Sequence, residues 1–405
     1  MNTESIGLYI HIPWCERKCP YCDFNSHRAP QALAEGTYVT ALLADLDDEL
    51  RTLQAGGGTC PVLGSIFIGG GTPSLFGAPA IARLLDGVAA RMPLVDDIEI
   101  TLEANPGSAE VGRFAGYRAA GINRLSLGIQ SFDDARLVAL GRVHDASQAQ
   151  RAIDGARSAG FDNFNLDLMF GLPGAAPDDS LRDLEQAIAA HPAHISWYQL
   201  TIEPGTAFSA RPPALPEHDR TADEQDAGQE LLALAGYRQY EISAYARPGR
   251  QARHNLNYWA FGDYLGIGAG AHGKLTGADA RIRRREKVRH PDRYVKLAAS
   301  GRALASEHLL ADADRLIEFM LNALRLRDGF TLSECARRTG IATGADALTM
   351  PLALAVTRGW LTSDGERVCP TALGYRFLND VLMLFVDSDE TGGACSERQS
   401  VSAAL

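Results

Sequence analysis

Short apolar runs alternate with turns and amphipathic stretches along the N-terminal part of the chain. The first run, Leu8-Tyr9-Ile10-His11-Ile12, predicts a β-strand that Pro13 stops. Similar runs predict strands at residues 65–68, 98–102, 124–129, 163–170 and 194–202. Apolar residues at helical spacing lie between them, at 30–53, 78–91, 109–120, 133–140 with 146–159, and 178–190. In the first of these stretches Tyr38, Leu42, Leu46 and Leu50 share one helix face. Strands alternating with helices imply βαβ units and a parallel sheet. Six such units make a (β/α)6 core, about three quarters of a TIM barrel. Functional groups of that architecture collect at the C-terminal ends of the strands.

A helix at 218–235 and a strand at 237–245 follow. Residues 253–273 are rich in glycine and aromatics. The basic run at 281–289 reads as a solvated strand face. From 311 to 377 the pattern is a helix, a helix–turn–helix-like pair and a hairpin around Asp364-Gly365. The expected fold is therefore α/β: a partial TIM barrel with a small C-terminal winged-helix-like α+β domain. The expected organisation is a barrel over 1–246, a connecting segment over 247–300, the C-terminal domain over 301–385 and a disordered tail over 386–405. The tail expectation rests on its Ser, Gly and Asp content.

Composition narrows the class. A chain of 405 residues accommodates a barrel and one small domain, and 46% hydrophobic residues suffice for a large core. A net charge of −11 argues against a nucleic-acid binder. No run approaches the roughly 18 apolar residues of a membrane span. Peripheral contact with a membrane surface stays open. The N-terminus lacks the basic start and apolar stretch of a signal peptide, so a cytoplasmic setting is expected. Seven cysteines, three of them clustered, do not form a disulfide framework.

The clustered three are Cys15, Cys19 and Cys22, in one loop directly after the first strand. Thiolates this close attract a soft metal centre. A disulfide would leave one thiol over, and structural zinc would want a fourth ligand at a different spacing. Three cysteines match three irons of a [4Fe-4S] cluster, with the fourth iron open to another ligand. Gly69-Gly70-Gly71-Thr72-Pro73 ends the second strand and lets a ligand approach the backbone closely. Glu103, Gln130 and Asp167 interrupt or end the next three strands, and Arg142 follows in Leu140-Gly141-Arg142-Val143-His144. A charge facing a barrel interior needs a partner. Together these residues read as a ring around a polar ligand.

In order along the chain, the cysteine triad, GGGTP, LEANP, LGIQSF, LGRVH and NLDLMFGLPG resemble the radical SAM superfamily. The similarity is to its branch of oxygen-independent coproporphyrinogen III oxidases (dehydrogenases) and HemW-type heme chaperones, and it spans about residues 7–377. It implies that Cys15, Cys19 and Cys22 hold a [4Fe-4S] cluster and that Tyr9, Gly70 and Glu103 contact a cluster-bound S-adenosylmethionine (SAM). Tyr21, Gly71, Thr72, Gln130, Arg142 and Asp167 correspond to residues that touch a second SAM in the dehydrogenase. Two features favour the chaperone type. Phe24 stands where the dehydrogenase has a fourth cysteine, and only fourteen residues precede Cys15. His254-Asn255-Leu256-Asn257-Tyr258-Trp259 resembles the chaperone's H-N-x-x-Y-W signature. The resemblance makes His254 a candidate heme ligand at the barrel edge near the cofactor mouth, with Tyr258 and Trp259 as apolar cover. The implied function is heme binding and transfer to an acceptor protein without coproporphyrinogen oxidase activity. The alternative is the radical SAM decarboxylation of coproporphyrinogen III.

Overall fold

The computed structural model describes residues 5–55, 57, 59–107, 111–176, 178–277 and 281–386. The tail expected to be disordered lies outside the described residues beyond Val386.

Six parallel strands form as the apolar runs predict: β1 (Ile6–Ile12), β4 (Leu63–Gly70), β5 (Leu94–Ala104), β6 (Arg124–Gln130), β7 (Phe164–Phe170) and β8 (His194–Gln199). Two short strands, β2 (Trp14–Cys15) and β3 (His27–Arg28), pair at either end of the cysteine loop. Alternation along each barrel strand separates two environments. Leu8, Ile10 and Ile12 of β1, Leu125, Leu127 and Ile129 of β6, and Leu166 and Leu168 of β7 are buried in the apolar layer beneath the helices. The intervening positions are polar and bond to one another across the barrel interior. Asn165, for example, bonds Ser126 and Asp167.

The sheet is larger than the sequence suggests. Its order is β14-β13-β12-β11-β1-β4-β5-β6-β7-β8-β10-β9. Beyond β8, the strand expected at 237–245 is two antiparallel strands, β9 (Arg238–Glu241) and β10 (Ala244–Ala246). Because β10 runs antiparallel to β8, it returns the chain to the N-terminal end of the barrel. The helix Arg253–Trp259 starts there. Residues 247–300 are thus not a mere connector. They supply a seventh parallel strand, β11 (Tyr264–Gly268), against β1, and then β12 (His272–Thr276) and β13 (Ile282–Lys287), each antiparallel to its predecessor. β14 (Leu304–Leu309) closes that edge.

The basic strand β13 is not simply a solvated face. Lys287 is fully buried, and its ammonium bonds Asp45 at 2.6 Å and also Glu49. Arg285 is buried against the same Glu49 at 3.2 Å. Both carboxylates project from the helix Glu35–Ala55. Buried charges require such pairing, and losing one partner would leave the other uncompensated.

The chain divides into two compact units, residues 1–258 with 262–309, and residues 259–261 with 310–405. The second contains helices Asp312–Ala323, Leu332–Thr339 and Asp346–Thr357, strand β15 (Phe330–Thr331), and the hairpin β16 (Leu361–Ser363) and β17 (Arg367–Pro370). This is the expected winged-helix-like outline. Thr331 caps the second helix by accepting from the Glu334 amide, and Gly340 ends it in the left-handed region. Phe319 packs edge-on against Phe261 and Phe330 in this unit's core.

Candidate cofactor site at the strand ends

The cysteine loop begins where β1 ends. Its thiols are free and half-buried. Burial pushes the Cys15 thiol up, as does the proximity of Cys22 and Cys19, while Thr72 bonds to it. Burial raises Cys22 as well. The Arg142 guanidinium donates to Cys19 Sγ at 3.5 Å. Among the described residues, no group of three or more His, Cys, Asp or Glu converges on a single-ion site. A cubane makes a different demand, one thiolate on each of three irons. Three mutually close thiols, with no fourth cysteine beside them among the described residues, suit it.

One residue that the motifs do not single out holds the loop in place. Asn25 donates through Nδ2 to the Ala269 carbonyl at 2.8 Å and the Arg289 carbonyl at 2.9 Å. Its own carbonyl accepts from His11 Nε2 at 2.9 Å. A side chain on Gly270 would collide with Asn25, so this approach requires glycine.

The glycine turn lies under the same loop. Gly70 adopts φ 111°, and its N–H donates to Glu103 Oε2 at 3.1 Å. Gly71 donates to the Ile12 carbonyl, and a Cβ there would sit 2.5 Å from the Trp14 carbonyl. Thr72 donates its amide to Trp14 and accepts at Oγ1 from Asn105 at 2.9 Å. Asn105 also accepts from Arg142 Nη2 at 2.7 Å. Asn105 thus joins the glycine turn to Arg142, and Arg142 joins both to Cys19.

Polar side chains fill the barrel below. Burial lifts the Glu103 carboxyl to about 8, helped by Asp167 and opposed by the Gly70 amide. Burial also raises Asp167, against donation from Asn165 and Ser126. Gln130, with φ 69°, accepts at Oε1 from the Tyr198 hydroxyl at 2.7 Å. Burial opposes the Arg142 charge, but Tyr21 and Cys19 beside it raise its pKa overall. Burial pushes Tyr9 well up, and Tyr9 bonds His11 Nδ1 at 2.9 Å. Tyr9, Gly70 and Glu103 therefore gather beneath the cysteine loop, and Asn105 and Tyr198 link Thr72, Arg142 and Gln130 beside them. His11, Asn105, Ser126, Asn165 and Tyr198 are further members of this interior. A period-2 run of inward polar positions, such as Arg124, Ser126 and Gln130 on β6, was the available signal.

His254 lies on the far side of Tyr9 from the cysteine loop, the two ring centres 6.5 Å apart. Its ring packs on Phe67 at 5.3 Å and beside Gly7, near the N-terminal ends of β1 and β4. This corrects the expectation that the H-N-x-x-Y-W stretch sits at the cofactor mouth; the reversal through β10 carries it to the opposite end. His254 is 1% exposed. Its Nδ1 pairs with Ser65 Oγ at 2.9 Å and its Nε2 with Tyr258 Oη at 3.0 Å. In this arrangement neither nitrogen is open to an iron. Trp259 belongs to the second unit, where the Arg325 guanidinium lies 4.2 Å from its ring centre.

A half-open β/α barrel with three thiols at its strand ends defines a radical SAM protein, and the radical SAM superfamily model matches residues 9–187. That class implies a [4Fe-4S] cluster and SAM. A second model, the HemN C-terminal domain, matches residues 310–377. The heme chaperone HemW of Escherichia coli is 48% identical, covering 95% of this chain and 99% of that protein. The Mycobacterium tuberculosis heme chaperone HemW is 36% identical over 95% of each chain. The chain belongs to the HemW heme chaperone family. The solved structure of E. coli coproporphyrinogen III oxidase superposes with a TM-score of 0.77 at 22% identity, covering 94% of this chain and 90% of that one. This last likeness bears on the fold.

Proposed function

We propose that this chain is a heme chaperone built on a radical SAM core, which takes up heme and passes it to an acceptor protein. The carrying observation is the 48% identity to a heme chaperone along nearly the full length of both chains. In this reading Cys15, Cys19 and Cys22 each bind one iron of the cluster and leave the fourth iron to SAM. Tyr9, Gly70 and Glu103 hold that SAM: the glycine turn admits it and the buried carboxyl accepts from its amine. Tyr21, Gly71, Thr72, Gln130, Arg142 and Asp167 shape the neighbouring space, where Arg142 sets the charge around Cys19. When bound, the cluster supplies an electron for cleaving SAM. The protein operates in the cytoplasm and needs neither nucleic acid nor a membrane span; no helix among the described residues is long and apolar enough to cross a membrane.

Phe24, 53% exposed two residues after Cys22, supports the chaperone over the oxidase reading. The test is product fluorescence after anaerobic incubation with coproporphyrinogen III, SAM and a reductant. No protoporphyrinogen is expected; sustained turnover would overturn the proposal in favour of the oxidase.

A further inference from the structure

Arg124 opens β6 and is 2% exposed. Leu125, Leu127 and Ile129 of that strand lie in the apolar layer, so by alternation Arg124 points with Ser126 into the barrel. Titratable groups meet its charge there from several elements. Glu103 comes from β5, Asp167 from β7, His194 from β8, Tyr240 from β9 and His254 from the helix Arg253–Trp259. Among the described residues, none accepts a hydrogen bond from the guanidinium, and its Nε is buried without a partner. Thr101, beside it in register on β5, has a buried hydroxyl in the same condition.

A buried guanidinium without hydrogen bonds is costly, and an apolar side chain of similar volume would pack there more cheaply. What the arginine adds is its field. Burial lowers His194 and His254 and raises Tyr240, so these three are neutral. The field therefore falls on Glu103 and Asp167, and it lowers both carboxyls against the burial that raises them. Glu103 is faced from the other strands by the Gly70 amide of β4, Tyr9 of β1 and Asp167 of β7. The amide and Arg124 favour its carboxylate, and Asp167 opposes it. The amide takes Glu103 Oε2, while Oε1 accepts from no described residue.

We propose that Arg124 is a positioning residue for SAM: its unbonded guanidinium is the counter-charge that lets Glu103 meet the SAM amine as a carboxylate. An arginine bonded to Glu103 would occupy the oxygen that SAM needs. One held back acts through its field and leaves that oxygen free. The proposal rests on the radical SAM reading and adds a residue to its SAM site.

The experiment is calorimetry of SAM binding to the full-length, cluster-reconstituted protein, at pH values on both sides of the Glu103 value of about 8. Wild type, Arg124→Met, Arg124→Gln, Arg124→Lys, Glu103→Gln and Arg124→Met combined with Glu103→Gln are compared. Iron and sulfide content at the wild-type level checks that each variant folds; Arg124→Gln keeps a polar end and serves if the methionine variant does not. Titration of SAM itself is common to all and cancels. Arg124→Met moves the midpoint of the pH profile up by about one unit or more. At pH 8 the ionised fraction of Glu103 then falls from about one half to about one tenth, and SAM binds about threefold to fivefold more weakly. The gap closes as pH rises, which a merely structural defect would not produce. Arg124→Lys restores the wild-type profile, and in the Glu103→Gln background Arg124→Met changes nothing. A uniform loss with an unmoved midpoint, or a lysine variant that fails to restore the profile, overturns the role of Arg124 while leaving the SAM site standing. No SAM binding by wild type at any pH overturns both.

Discussion

Replacing His254 tests whether it is a structural plug at the N-terminal end of the barrel. The ring fills the space against Phe67 and satisfies the Ser65 and Tyr258 hydroxyls. Alanine would leave a cavity and strip the buried Ser65 hydroxyl of its partner, costing about 3–5 kcal/mol together. Glutamine retains most of the volume and a polar end, so it should fold and isolate the titration. Burial holds His254 at about 3, against 6.5 for an unfolded histidine. The unfolded state therefore binds the extra proton first, and stability is lost as pH falls below 6.5. Between pH 7 and pH 5 that loss amounts to about 2 kcal/mol for this one group. His11 and His144, each lowered by burial to about 4, contribute a slope of the same sign to both proteins and cancel in the comparison. Urea unfolding followed by tryptophan fluorescence at pH 5, 6, 7 and 8 measures the difference. Wild type should exceed His254→Gln at pH 7, and the gap should narrow toward pH 5. Parallel pH profiles, or a glutamine variant as stable as wild type at pH 7, would refute the plug.

Alanine at Cys15, Cys19 or Cys22 should abolish the cluster, leaving far fewer than the about four irons per chain that a cubane holds; iron and sulfide analysis after anaerobic reconstitution checks this. Above pH 8, where the carboxyl is ionised, Glu103→Gln should weaken SAM binding by about tenfold or more, the worth of a hydrogen bond to a charged acceptor, as measured by calorimetry. Because the Glu103 carboxyl stays protonated up to about 8, wild-type SAM affinity should rise with pH through that range, and the glutamine variant should lose this dependence. Asn25→Ala should loosen the cysteine loop by freeing the Ala269 and Arg289 carbonyls; faster cluster loss under a chelator, at unchanged starting iron content, is the expected readout.

The barrel strands were legible because each is flanked by helices and reads as a compact apolar run. The cysteine triad was legible because its spacing is local. Strand β11 was hidden by its glycines. A Cβ on Gly266 would meet the His272 carbonyl at 1.8 Å, so the residues that permit the strand also disguise it. Lys287 looked like one of several solvated cations, because its partners Asp45 and Glu49 lie some 240 residues away on another element. The misplacement of His254 has one cause. A single strand at 237–245 would have ended at the mouth, whereas the β9–β10 hairpin reverses direction within three residues and delivers the H-N-x-x-Y-W helix to the far end. Hydrophobic periodicity does not record strand direction.

As proposed above, this radical SAM core carries heme for delivery. The most direct measurement loads the reconstituted protein with heme, mixes it with a heme-free acceptor and follows the Soret band. Stoichiometric uptake is expected, then transfer until the acceptor's spectrum dominates, with the cluster intact throughout. Absence of heme uptake, or heme that stays bound in the presence of excess acceptor, would contradict it.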